Sequence, residues 1–145
     1  MNLHQKLFQK KDKLFRIHHE ERGGIMKLAN FVDNIVPTKK QPVVVICIGT
    51  DRSTGDSLGP LVGTKLKRRF PNDHNYGTLE SPIHALNLEE TIKDIETTFN
   101  HPFIIGIDAC LGKLSSIGMI SASEGPVKPG AGVNKQLPSV GDMHI

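Results

Sequence analysis

The sequence predicts a three-layer α/β/α sandwich with a mostly parallel sheet, and the evidence is two apolar runs separated by helices. Val43–Ile48 is an unbroken apolar run that ends at a glycine, and Phe103–Ile107 is a second apolar run around Gly106. Such runs are typical of strands buried on both faces. Between them, apolar residues recur at helical spacing in Leu58–Phe70 and Leu88–Phe99. Strands that alternate with helices form parallel sheets covered on both faces.

Residues 1–41 are predicted to be a helical, basic arm and linker, followed by an α/β domain over residues 42–145. Apolar side chains recur at helical spacing through residues 1–22, and a Gly-Gly pair then stops the pattern. A second short helix is predicted for Ile25–Val36. Proline and lysine residues then form the linker into the α/β domain.

The remaining elements are shorter. Tyr76–Glu80 is predicted to be the second strand of the α/β domain, and Ser116–Ser121 the fourth. Asn87 is a plausible cap for the helix that follows it, because Asn accepts hydrogen bonds from the free amides of a first turn. The segment from Glu124 onward is rich in proline and glycine and is predicted to be loop.

The composition limits the classes of function. The 145 residues have a formal net charge of +3, one Tyr and no Trp, so single-stranded nucleic acid, which stacks on aromatic rings, is not an expected partner. Basic clusters such as residues 65–69 are typical of solvated surface. No segment has the ~20 apolar residues of a membrane span. Two cysteines form no disulfide framework or zinc spacing, so we expect a cytoplasmic protein without a membrane partner.

A polar, glycine-spaced loop follows the first apolar run and contains Asp56. It precedes a helix, whose first amides attract anions, but it lacks the Gly-Lys-Ser/Thr ending of a P-loop. Asp56 is therefore a candidate metal ligand or one member of an acid/base pair. The alternative is that Asp56 or Ser57 simply caps the helix.

A second acid, Asp108, ends the other apolar run. A carboxylate at the end of a buried strand is costly to desolvate unless it is paired, hydrogen-bonded or metal-bound, which favours a role in function. The alternative is a turn aspartate that accepts hydrogen bonds from nearby amides. His84 and His144 lie in predicted loops, and each is either a site residue or an ordinary loop histidine.

Five segments together closely resemble the YyaC-type sporulation proteins of endospore-forming bacteria. They are residues 44–63 (VVICIGTDRSTGDSLGPLVG), 76–88 (YGTLESPIHALNL), 107–112 (IDACLG), 129–138 (PGAGVNKQLP) and 140–145 (VGDMHI). That family is similar in turn to the germination protease of spores and to the nickel–iron hydrogenase maturation endopeptidases. The resemblance implies a phosphorylase/hydrolase-like fold and a further strand and helix beyond Ile145, so that the chain is a fragment.

The resemblance also implies a site. The two acids of these peptidases fall on Asp56 and Asp108. In the maturation enzymes two acids and a later histidine bind a metal, which makes nickel or zinc a candidate cofactor here and His144 a candidate for the third ligand. In the germination protease two acids are thought to act without a metal.

We therefore expect a spore-associated peptidase that acts in sporulation or germination, with Asp56 and Asp108 as its catalytic acids. Its substrate would be a protein or peptide, for example the small acid-soluble proteins of the spore interior. The alternative is a catalytically inactive binding protein that keeps the protease fold. The substrate cleft would be formed by Gly49, Thr50, Asp51, Arg52, Ser53 and His84.

Overall fold

The structure is a computed structural model that describes residues 14–38, 40–130 and 136–145. The first 13 residues of the predicted arm and residues 131–135 of the predicted tail loop lie outside the described residues. The strands are β1 (Leu14–His18), β2 (Val43–Ile48), β3 (His74–Tyr76), β4 (Phe103–Asp108), β5 (Met119–Glu124) and β6 (Met143–His144). The helices are α1 (Gly24–Asp33), α2 (Leu58–Arg69) and α3 (Leu88–Thr98).

The six strands form one sheet in the order β1-β5-β6-β4-β2-β3. The pairings β6/β4, β4/β2 and β2/β3 are parallel, whereas β1/β5 and β5/β6 are antiparallel. The predicted α/β sandwich with a mostly parallel sheet is therefore confirmed, with an antiparallel extension at one side.

The helix predicted through residues 1–22 is wrong where the structure describes it, because Leu14–His18 is the edge strand β1. Ile17 is buried while Leu14 and Arg16 are exposed, which is the alternation of a strand with one face on the core. The five residues pair along their whole length with residues 119–123 of β5. This long-range pairing determines the conformation of the segment, because its few apolar residues fit both the spacing of a helix and the alternation of a strand.

Other strand boundaries also differ from the prediction. The second predicted strand, Tyr76–Glu80, begins and ends earlier, at His74–Tyr76, because Gly77 adopts a φ of 85° and turns the chain out of the sheet. The strand predicted at Ser116–Ser121 is displaced to Met119–Glu124. The predicted tail loop contains the short strand β6, which lies between β5 and β4.

Helices cover both faces of the sheet. One face packs Ile46, Ile104 and Val140 against α3 through its buried residues Leu88 and Ile95. The opposite face includes Ile105, Ala122 and Met143 and packs against the partly buried apolar residues of α1. The helix α2 lies on this second face, beside Cys47 of β2.

The helix α2 packs through its smallest residues rather than through its leucines. Leu58 and Leu61 are 52% and 44% exposed, whereas Gly59 and Gly63 are buried one turn apart. A Cβ atom on Gly59 would overlap the carbonyl oxygen of Ile48, and one on Gly63 would overlap that of Gly77. The helix backbone therefore touches the strand backbone directly.

Burial also explains the chemical character of Cys47, whose side chain is fully buried against the sheet. Desolvation raises the pKa of its thiol to about 12, so the residue packs as a small apolar side chain. Within the described residues, no helix has both the length and the apolar character needed to cross a bilayer.

The close approach of α2 predicts a large difference between two glycine substitutions. Gly63→Ala should lower the free energy of unfolding by about 1–3 kcal/mol, although alanine favours helices, because the new methyl group meets a backbone oxygen that cannot move aside. Gly55→Ala is the matched control, since no atom lies within 4 Å of the added Cβ. Urea denaturation of both variants checks this, and equal losses would contradict it.

Candidate active site

Three chain segments meet at the carboxyl edge of the sheet. The strands β2 and β4 are neighbours, and their last residues, Ile48 and Asp108, are paired in register. On the other side of β2, Ile83 forms a parallel bridge with Ile48, and the Gly49 amide donates a 2.8 Å hydrogen bond to the Ile83 carbonyl. The loops that follow Ile48, Ile83 and Asp108 therefore all leave the sheet from this edge.

The loop after β2 is folded back on itself so that Asp56 lies over the end of the strand. The Thr50 amide donates a 3.0 Å hydrogen bond to the Asp56 carbonyl, and the Asp56 amide donates one of 3.0 Å to the Ser53 carbonyl. Gly49 has a φ of 142°, and a Cβ atom there would overlap the Asp56 carbonyl oxygen. Of the predicted cleft residues, Asp51, Arg52 and Ser53 are exposed, while Gly49 is buried.

Asp56 does not cap α2. The N-cap position is Ser57, and no side-chain capping hydrogen bond is made there. The Ser57 hydroxyl donates instead to the Thr54 carbonyl at 2.9 Å. The structure therefore does not use the Asp56 carboxylate to start the helix, and this removes the main structural alternative to a chemical role.

Asp108 is a half-buried acid beside Asp56. Its pKa is raised from the ordinary 3.8 to about 6, first because burial disfavours the charged form and then because the Asp56 charge lies nearby. A hydrogen bond from the Ala109 backbone amide acts in the opposite direction. The Ala109 hydrogen bond is the kind that the turn interpretation of Asp108 expects, and the nearby Asp56 charge is compatible with the acid-pair interpretation, which stays a prediction.

His84 is placed at the same edge by the bridge of Ile83, but its hydrogen bonds are local. The His84 amide donates to the Asn87 side-chain oxygen at 2.8 Å, and the Asn87 side-chain amide donates to the Pro82 carbonyl at 3.0 Å. The Leu86 amide donates to His84 Nδ1 at 3.3 Å. Asn87 is the N-cap residue of α3 but makes no side-chain capping bond. Its side chain instead fixes the loop of His84, a role that the sequence analysis missed.

His144 lies on β6, opposite Gly106 and two residues short of Asp108 along the neighbouring strand. Because residues in register share a face, as do residues two apart, His144 and Asp108 lie on the same face. His144 Nδ1 contacts the Gly125 carbonyl at 2.9 Å. Since a carbonyl only accepts, this bond places a proton on Nδ1 and leaves Nε2 of a neutral ring free to accept.

The described residues do not form a recognisable metal site. Across residues 14–38, 40–130 and 136–145, no three His, Cys, Asp or Glu side chains are grouped so that they could hold a metal ion. Asp56 and Asp108 therefore interact without His84 or His144 as a third ligand in this arrangement. Nickel or zinc at this site stays a prediction, which elemental analysis of the purified protein would test.

Apolar side chains are exposed on the loops at the carboxyl edge. Leu86 is 93% exposed in the loop of His84, and Leu111 and Leu114 are 75% and 86% exposed in the loop after β4. Single exposed apolar side chains need no explanation, but these lie on two of the loops that leave the edge beside the acids. The carboxyl edge of the sheet thus has two acidic side chains and exposed apolar side chains on its loops.

The raised pKa of Asp108 predicts a pH-dependent cost to folding. The charged form is penalised in the folded state, so the cost is absent below the unfolded pKa of 3.8, grows as pH rises, and is complete above about 6. After allowance for its partial exposure, Asp108→Asn should stabilise the protein by about 1–2 kcal/mol at about pH 8 and by little at about pH 3.

Thermal or urea unfolding of wild type and Asp108→Asn at both pH values measures this difference. Asp73→Asn, a change at an exposed acid outside the site, is the matched control and should show no such gain. A gain for Asp108→Asn that is the same at both pH values would contradict the assignment.

Comparison with known proteins identifies relatives of this chain. The family described as "Protein of unknown function (DUF1256)" matches residues 16–145. The chain is 58% identical over 106 residues, or 72% of its length, to the "Uncharacterized protein YyaC" of Bacillus subtilis (strain 168). The match covers 52% of that relative, so the chain spans about half its length. No solved structure matches significantly. The YyaC-type resemblance is thus confirmed, and the chain belongs to the DUF1256 family.

Proposed function

We propose that this protein is a spore-associated peptidase that cleaves protein or peptide substrates with the acid pair Asp56 and Asp108. The single observation that supports it most is the raised pKa of Asp108, caused by burial and by the Asp56 charge. Pairs of carboxyl groups in which one pKa is perturbed are typical of acid/base catalysis. The resemblance to the germination protease supports peptide hydrolysis, and that to YyaC-type sporulation proteins supports action inside the spore or forespore.

In the proposed mechanism the two acids share one proton. Burial favours the proton on Asp108, and Asp56 is then the carboxylate that accepts a proton from the attacking water. The oxygen of that water bonds to the peptide carbonyl carbon. Asp108 donates its proton to the departing amine nitrogen, and the C–N bond breaks. The amides of Thr50, Arg52 and Asp56 are engaged within the loop that follows Gly49, so the developing oxyanion would be stabilised by other backbone amides of that loop.

Loss of either acid should abolish this chemistry. Asp56→Asn and Asp108→Asn should each lower kcat by about 100-fold or more, the usual contribution of a positioned acid or base. The assay uses spore small acid-soluble proteins and a peptide library, with Asp73→Asn as the control that keeps wild-type activity. A wild type that cleaves nothing, or two variants that cleave normally, would refute the mechanism.

The mechanism also predicts that the rate of peptide cleavage falls at high pH. The mechanism requires protonated Asp108, so kcat should fall as pH rises through about 6. A rate that rises steadily from about pH 5 to pH 8 would show that Asp108 is not the acid.

A binding role without catalysis is the second candidate, and the exposed leucines favour it. Leu86, Leu111 and Leu114 give the edge an apolar surface that a partner protein could cover. In that case Leu86→Ser and Leu111→Ser would weaken association with the partner, while Asp56→Asn and Asp108→Asn would leave it unchanged. Under the peptidase proposal the two acids are essential.

A further inference from the structure

A groove opens along the outer edge of the sheet, beside β3 and between the two helical layers. Its volume is about 670 Å³, and β3, α2 and α3 all contribute to its lining. β3 pairs with β2 on one side only, and within the described residues no strand pairs with its other side. A free strand edge is able to hold an extended peptide through main-chain hydrogen bonds.

The two walls of this groove carry opposite charges. The α2 wall presents Lys67 and Arg68, the α3 wall presents Asp94, and Glu80 lines the groove from the loop after β3. None of these side chains takes part in an ion pair among the described residues. Lys67 donates a 3.3 Å hydrogen bond to the Pro71 carbonyl. Opposite charges that line one groove without pairing across it are available to a ligand.

One end of the groove leads toward the acid pair. The lining continues past β3 to Pro82 and Ile83, and the Ile83 carbonyl accepts the hydrogen bond from Gly49. Gly49 in turn begins the loop that positions Asp56. An extended chain in the groove therefore runs along the sheet edge toward the proposed catalytic loop.

We propose that this groove binds an extended peptide segment in which acidic and basic side chains alternate. Successive side chains of a strand point to opposite faces. In a peptide added to β3, every second side chain would face Lys67 and Arg68, and the others would face Asp94. This inference rests on the proposed peptidase function, because the bound segment is part of the substrate. It adds to that function a preference for substrates with this alternating sequence.

The first test measures binding of short fluorescent peptides by anisotropy, with the whole chain as the Asp108→Asn variant so that no cleavage intervenes. An alternating Glu-Lys peptide should bind about fivefold to tenfold more tightly than a peptide of the same composition in two blocks, given the modest strength of exposed charge pairs. N-methylation of its backbone should abolish binding. Equal binding of the alternating and block peptides would overturn the proposal.

The second test changes the charges on the two walls of the groove. Arg68→Glu should weaken binding of the alternating peptide at least about threefold, whereas Lys65→Glu, an equal charge change on α2 outside the groove, should leave it unchanged. Lys67→Glu, Arg68→Glu and Asp94→Lys together should recover binding, because the charges of both walls are then reversed and an alternating peptide shifted by one residue again matches them. Equal effects of Arg68→Glu and Lys65→Glu would overturn the proposal. Circular dichroism verifies that each variant is folded.

The two proposals fail in different ways. If the peptides bind but wild type cleaves nothing, the peptidase function fails while the groove stands. If wild type cleaves an alternating peptide and Arg68→Glu leaves KM unchanged, the groove fails while the peptidase function stands.

Discussion

The direct contact between the backbones of α2 and β2 is the constraint on which the candidate site depends. Gly59 and Gly63 let the helix approach so closely that any side chain there would overlap a carbonyl oxygen of the sheet. This contact fixes where α2 begins, and the loop between β2 and α2 must fold back within a short span. The Thr50 amide holds the Asp56 carbonyl in that fold, and the missing side chain of Gly49 leaves room for it, so helix packing determines the position of a catalytic candidate.

The electrostatics of the edge follow from this packing. Asp108 is paired in register with Ile48, the last residue of β2, and is therefore adjacent to the loop that Asp56 closes. A half-buried carboxyl beside a second negative charge holds its proton more tightly than an isolated one. The arrangement costs folding free energy, which is typical of sites where chemistry rather than stability governs the choice of residue.

The sequence predicted the central strands, and it led to the acid-pair hypothesis, because the signals for both are local. Unbroken apolar runs define β2 and β4. Asp108 ends the run of β4, and Asp56 lies in the loop after β2, so the two acids mark the carboxyl edge that these strands share. The strand β1 was missed because a five-residue segment acquires its conformation from pairing with β5. The apolar stripe of α2 was misleading, since close backbone packing favours glycine over leucine. The bridge of Ile83 to Ile48 joins residues 35 positions apart, and no local pattern predicts it.

The central claim is that Asp56 and Asp108 are coupled at the sheet edge, and titration of Asp108 tests it most directly. Carbon NMR of the side-chain carboxyl, in wild type and in Asp56→Asn, gives the pKa in both proteins. The account predicts a pKa of about 6 in wild type and a lower value when the Asp56 charge is removed. A wild-type pKa near 3.8, or one that Asp56→Asn leaves unchanged, would contradict it.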